Sequence, residues 1–319
     1  MKKLAAFLVC LTALSGAALA QQQRDWSKVE IKSEPVRGNI HMLSTNVGGN
    51  IGVSVGPDGI LIIDDQFLPL ADKIRAALAN LNPGKLKFIL NTHWHGDHTG
   101  GNPAFGPEVP IIAHTNVRER LKTGSTARNV PPSPKEGWPV ITYDQSLSVH
   151  FNGEEIKVIH FPKGHTDGDS VIFFTGSNVV HMGDDFFSGR FPFVDLDSGG
   201  DVEGLTQNIA ALIQKIPADA KIIPGHGPIS TLDDLKTYHT MLVETTDAVR
   251  QKMKAGKSLD EIKKEGLPEK WKSLAWGFIS EERWIEIVHR SLSGQKQLRG
   301  AMDVPPGAGG HGHPHPSKD

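Results

Sequence analysis

The stretch Phe88-Ile-Leu-Asn-Thr-His93-Trp94-His95-Gly96-Asp97-His98-Thr-Gly-Gly places four side chains able to bind a metal ion within six residues. In extended chain just beyond an apolar strand, His93 and His95 project to the same side, so two imidazoles can grip one ion. Gly96 permits a sharp turn that brings Asp97 and His98 toward a point beside that ion. Three later segments share one layout, an apolar strand running into a glycine and at once into a metal-competent side chain. They are Ile156-Lys-Val-Ile-His-Phe-Pro-Lys-Gly-His165, Val179-Val-His-Met-Gly-Asp184 and Lys221-Ile-Ile-Pro-Gly-His226. Functional groups in α/β architectures collect outside the carboxyl ends of strands, so these three are expected to meet the first four. Imidazole nitrogens and carboxylate oxygens suit Zn2+, and Fe or Mn is also compatible because no thiolate biases the choice. A metal held in this way activates water, which is hydrolytic chemistry that needs no Ser or Cys nucleophile.

Positioning such groups takes strands and helices in alternation. Short apolar runs bounded by Gly, Pro, Asn or Asp read as strands at Ile40 to Leu43, Ile51 to Val55, Ile60 to Ile63, Phe88 to Leu90 and Ile111 to Ala113. The same signal recurs at Leu147 to Phe151, Ile156 to Phe161, Val171 to Phe174, Val179 to Met182 and Ile222 to Ile223. Helical spacing appears at Leu68 to Leu81, Thr115 to Leu121 and Val202 to Ile216, so the class is α/β. From Leu232 to Leu292 the pattern turns helical, with Leu235, Tyr238, Met241 and Leu242 on one face and Trp284, Ile285, Val288 and Leu292 on another. Thr123 to Trp138, rich in proline, is expected to form a long loop, either one that borders an active site or an idle surface loop.

The 319 residues carry a formal charge of −2, so no basic field recruits nucleic acid. Met1-Lys2-Lys3, the apolar run Leu4 to Leu14 and Ala18-Leu19-Ala20 have the three regions of a secretory signal. The run is shorter than the ~20 apolar residues a membrane span needs, so export with cleavage after Ala20 is expected, to the periplasm or outside the cell. The single cysteine, Cys10, falls inside that segment and leaves no thiolate ligand to the mature chain. The expected organisation is a signal peptide over 1–20, a metal-binding domain over 24–230, a helical extension over 231–295 and a His-containing tail over 296–319.

The motifs His93-Trp-His95-Gly-Asp97-His98, Gly164-His165-Thr166, Gly183-Asp184 and Gly225-His226, in this order, resemble the metallo-β-lactamase superfamily over roughly Ile40 to Gly227. The resemblance implies a four-layered αβ/βα sandwich with the site along one edge. It further implies that His93, His95 and His165 hold one ion, that Asp97, His98 and His226 hold the other, and that Asp184 bridges them. Asp97 would also orient the activated hydroxide, and Asp64 or Asp65 either fixes a ligand imidazole from behind or simply forms the turn after its strand. Other histidines, among them His41, His114, His150 and His160, are expected in core or surface roles, with His181 a candidate support for the site. Phe67, Trp94, Trp138, Phe186, Phe187, Phe191 and Phe193 are candidates for the walls, each weighed against plain core packing. Arg190 and Lys163 either receive a substrate carboxylate or stay solvated.

The family spans many reactions, so fold does not settle function. Dedicated β-lactamases usually carry Cys or a small residue where Asp184 stands, and glyoxalase II usually has a second His where this chain has Asp169. The expectation is a hydrolase with two Zn2+ per chain that cleaves a small ester, lactone, thioester or lactam. The alternatives are a β-lactamase proper and, outside enzymology, a periplasmic zinc-binding protein whose tail offers His311, His313 and His315. A small-molecule substrate is the expected partner, with neither nucleic acid nor membrane once the signal is removed.

Overall fold

The structure, a computed structural model, describes residues 24–294. The expected signal peptide and the whole of the His-containing tail lie outside the described residues.

Seven strands form the first sheet in sequential order: β1 (Lys32–Arg37), β2 (Ile40–Ser44), β3 (Ile51–Gly56), β4 (Gly59–Ile63), β5 (Leu86–Leu90), β6 (Ile111–His114) and β7 (Ile141–Tyr143). The first four pair antiparallel, and β4 to β7 run parallel. Every residue of β4 is buried, which fits a near-continuous apolar strand covered on both faces. The second sheet comprises β8 (Ser146–Phe151), β9 (Glu154–His160), β10 (Ser170–Phe174), β11 (Val179–His181) and β12 (Lys221–Ile223), in the order β12-β11-β10-β9-β8. β1 and β7 carry no apolar run that marks them as strands. Each is an edge strand with one neighbour, and β1 places Pro35 where no second partner needs its missing N–H.

The helices are α1 (Ala71–Leu81), the single turns α2 (Gly96–Thr99) and α3 (Asn102–Phe105), α4 (Thr115–Thr123), α5 (Val202–Lys215), α6 (Leu232–Lys254), α7 (Leu259–Glu265) and α8 (Glu281–Leu292). Between the sheets lies one apolar layer, with Ile40, Leu61, Ile63 and Leu90 facing Ile156, Ile172, Phe174 and Ile223. Ile74 and Leu78 of α1 cover the outer face of the first sheet. Val171, Val180 and Ile222 on the outer face of the second meet α5, α6 and α8. These layers make the αβ/βα sandwich. The extension therefore shares the body's core. Its helices start at strong caps, a capping box of Thr231 with Asp234 on α6 and of Ser258 with Glu261 on α7. No described helix is long and apolar enough to cross a membrane.

Topology accounts for the site's location. β9 and β11 both run antiparallel to β10, and β12 runs parallel to β11, so their carboxyl ends share one end of the second sheet. The end of β5 joins them from the first sheet, where Ser170 N–H donates to Thr92 O at 2.9 Å and Asn50 N–H to Gly225 O at 2.8 Å.

Candidate metal centre

All seven residues expected as ligands converge at that end. One potential ligand atom from each of His93, His95, His165 and Asp184 lies within 4.8 Å of the others, and the same holds for Asp97, His98 and His226. Asp184 stands between the groups. Its Oδ2 is 3.4 Å from His165 Nε2 and 3.7 Å from His93 Nε2, while its Oδ1 is 3.1 Å from His98 Nε2 and 3.4 Å from His226 Nε2.

What makes the cluster a metal centre rather than a polar core is how each imidazole is anchored. Thr92 spends its hydroxyl proton on Asp64 Oδ2, at 2.7 Å, so at 3.0 Å it can only accept from His93 Nδ1. His98 Nδ1 donates to Asp64 Oδ2 at 2.7 Å, and His165 Nδ1 to Phe193 O at 2.7 Å. His95 is turned round, its Nε2 lying 2.8 Å from Asp195 Oδ2 and against Arg128 Nη1. The rings of His93, His98 and His165 thus hold a proton at the back and turn Nε2 inward. His95 Nδ1 and His165 Nε2 face one another at 2.8 Å. His93 Nε2, His98 Nε2 and Asp184 Oδ1 are buried with no hydrogen-bond partner. Orphaned buried acceptors cost stability unless a cation meets them, and this set of N and O donors fits a zinc-like ion. His226 stacks on Phe187, rings 5.0 Å apart at 16°.

Electrostatics divide the site. Burial holds the His93 imidazole well below its ordinary pKa, and it pushes His95 down to about 3 with help from the Arg128 guanidinium. For His226 burial works in the same direction, but Asp184 and Asp97 overcome it and lift the ring to about 9. Burial would raise the Asp184 carboxyl, and the surrounding histidines hold it far below the carboxylate range instead.

The backbone comes close enough here to require glycine. A Cβ on Gly49 would sit 2.2 Å from His98 Cε1, and one on Gly225 would sit 2.1 Å from Asp184 Oδ1. Gly49→Ala should therefore displace the His98 ring and weaken metal retention by the Asp97, His98 and His226 group about tenfold. Dialysis against graded chelator, with metal content read by mass spectrometry, checks it; retention equal to wild type would show that the ring has room to move.

Asp64, not Asp65, is the carboxylate behind a ligand ring; Asp65 instead accepts from Gly101 N at 3.0 Å. His181 supports the Gly183–Asp184 turn, its Nδ1 accepting from Gly183 N at 3.2 Å. Phe187 and Phe193 lie against ligand rings, as does Trp94 at 5.4 Å from His95. Phe67, Phe186 and Phe191 are core residues, packed on Trp26, Tyr238 and Trp284 respectively. Trp138 packs under Arg118 in the small cluster around Val117, and Lys163 is exposed. The segment Thr123 to Trp138 contains a Ser125–Val130 bridge and a 3-10 turn, and it sends Arg128 to Asp195 at 2.5 Å. Sequence reasoning missed Asp195, Arg128 and the two aromatic residues Trp276 and Phe278, which reach the site from the extension.

The sequence model of the metallo-beta-lactamase superfamily matches residues 47–258. The chain is 28% identical over 160 residues to the 2,4-dinitroanisole O-demethylase subunit alpha of Nocardioides sp. (strain JS1661), covering 49% of this chain and 47% of that protein. It is 27% identical over 161 residues to the hydroxyacylglutathione hydrolase of Nitrosococcus oceani, covering 50% and 55%. The chain spans about half the length of these curated relatives. Among solved structures, DIM-1 metallo-beta-lactamase superposes with a TM-score of 0.58 at 19% identity, over 67% of this chain and 98% of that one, which is a likeness of fold.

Proposed function

We propose, from the premise that the chain belongs to the metallo-β-lactamase superfamily, that it is a hydrolase with two Zn2+ per chain acting on a small ester, lactone, thioester or lactam outside the cytosol. The observation that carries this reading is the convergence of inward-facing acceptors, His93 Nε2, His98 Nε2 and Asp184 Oδ1, none with a hydrogen-bond partner. His93, His95 and His165 would hold one ion, Asp97, His98 and His226 the second, and Asp184 would offer one oxygen to each. Bound there, zinc supplies Lewis acidity, making water a competent nucleophile near neutral pH and taking up charge that develops on oxygen.

The chain's own residues do the rest. Asp64, Thr92 and the Phe193 carbonyl hold the His98, His93 and His165 rings with Nε2 turned inward, and Asp195 fixes the orientation of His95. Asp97 is the most exposed of the seven at 25%, with Oδ2 3.3 Å from His226 Nε2, and it orients the attacking water where solvent enters. Phe187, Phe193 and Trp94 pack against the ligand rings and limit the access of bulk water to them. The named activity of the hydroxyacylglutathione hydrolase relative supports an acyl substrate.

The test is a panel of ester, lactone, thioester and lactam substrates. Turnover should disappear with a chelator and return on adding two equivalents of Zn2+. Zinc binding without turnover of any of these substrates would favour a zinc-binding protein instead.

A further inference from the structure

The donor set is sealed on one side and open on the other. His93, His95 and His165 are buried, whereas Asp97 and His226 retain 25% and 14% side-chain exposure. A substrate therefore arrives beside His226. The helical extension brings an aromatic side chain near His226: Trp276, its ring 6.4 Å from the His226 ring and 6.5 Å from Phe187. The indole is pinned, with Nε1 donating to Phe191 O at 2.9 Å and its own backbone N–H to Ile279 O at 3.0 Å. Phe191 N–H in turn donates to Leu274 O at 2.9 Å, so the extension and the segment bearing Arg190 are stitched together.

Arg190 lies over that indole, Cζ 4.8 Å from the ring centre. It is partly buried, and among the described residues its side chain has no hydrogen bond and no ion pair. Burial pushes its guanidinium below the ordinary value, and no neighbouring carboxylate offsets this. A planar fork of donors, half stripped of water and held flat on an aromatic face, is costly to maintain without an acceptor. Its complement is a planar oxyanion able to take two parallel hydrogen bonds.

We propose that Arg190 and Trp276 form a seat for a carboxylate carried by the substrate, so that the protein selects anionic acyl compounds over neutral ones. This rests on the hydrolase reading above. The apolar part of such a substrate lies along Trp276 and Phe278, whose rings are 5.6 Å apart, while its acyl group reaches the opening beside Asp97 and His226. Selectivity is then a property of the extension as much as of the body.

Two matched esters test it, 4-nitrophenyl butyrate and the 4-nitrophenyl hemiester of glutarate, which differ by one carboxylate. In the zinc-loaded wild type the hemiester should have the larger kcat/KM, and Arg190→Gln should reduce the hemiester-to-butyrate ratio by about 10- to 100-fold, chiefly through KM. Arg190→Lys should restore part of it, because a point charge replaces the fork. In parallel, calorimetric titration with 4-phenylbutyrate should give a Kd about tenfold weaker in Arg190→Gln than in the wild type. An unchanged ratio with an unchanged Kd would overturn the assignment while leaving the hydrolase reading standing. Absence of turnover on both esters and across the substrate panel would sink the hydrolase reading, and the phenylbutyrate titration would still decide whether Arg190 binds a carboxylate.

Discussion

Replacing Asp184 by Asn should lower zinc content from two ions per chain toward one and reduce kcat by at least about 100-fold, the upper end of what altering an outer partner of a ligand costs. The reason lies in the division of its oxygens, Oδ2 toward His93 and His165 and Oδ1 toward His98 and His226. A carboxylate can serve both groups and offset part of the repulsion between two cations. An amide offers one good oxygen, no charge, and an NH2 that turns donors toward lone pairs. The Asp97, His98 and His226 group should suffer more, because it is the less enclosed and the other keeps three imidazoles. Circular dichroism should scarcely change, since burial of the smaller charge does not disturb the sheets. Two retained zinc ions and a full rate in this variant would remove Asp184 from the bridging position.

Trp284→Ala should cost about 3–5 kcal/mol of stability, a loss of roughly 10 °C in Tm, while leaving zinc content at the wild-type level. Trp284 is fully buried, stacks on Phe191 at 6.1 Å and 16°, and donates from Nε1 to Thr245 Oγ1 at 3.0 Å. It thus joins α8, α6 and the segment after the metal centre in one packed unit. Its loss opens a cavity that three elements line and leaves the Thr245 hydroxyl without that donor. Phe191 also supplies the carbonyl that pins Trp276, so selectivity at the opening should fall in this variant even though the ions remain. Thermal melts and metal analysis check both parts. A melting temperature equal to wild type would mean that the extension folds apart from the body, against the shared apolar core.

Much of the centre was legible in the chain because its ligands follow one local rule, strand, glycine, metal-competent side chain, and local rules survive without knowledge of the fold. What holds the ligands follows no such rule. Asp195 pairs with His95 across 100 positions and lies in a segment that belongs to neither sheet. Asp64 and Asp65 are adjacent and chemically equal, so only the tertiary placement decides between them; Asp64 adopts the left-handed backbone, φ 65°, that Asp tolerates better than most residues. The helical character of the extension was plain from its spacing, but spacing could not tell that the link between α7 and α8 would send Trp276 and Phe278 back to the metal centre. Among the aromatic candidates, composition marks Phe186 and Phe191 as equal to Phe187 and Phe193. Their separation into core and wall comes from which side of the irregular segment after Asp184 each occupies, and no periodicity encodes that. Edge strands β1 and β7 escaped for a related reason: with one hydrogen-bonded neighbour and little buried surface, they need no apolar run.

The most direct measurement of the central claim is the anomalous scattering from crystals grown with excess Zn2+ and recorded at the zinc edge. Two peaks of comparable height, about 3.5–4 Å apart as paired catalytic ions are, should appear, one among His93, His95 and His165, the other among Asp97, His98 and His226, with Asp184 between them. A single peak at one group, or zinc bound elsewhere while the seven side chains close on one another through hydrogen bonds, would contradict the two-ion hydrolase.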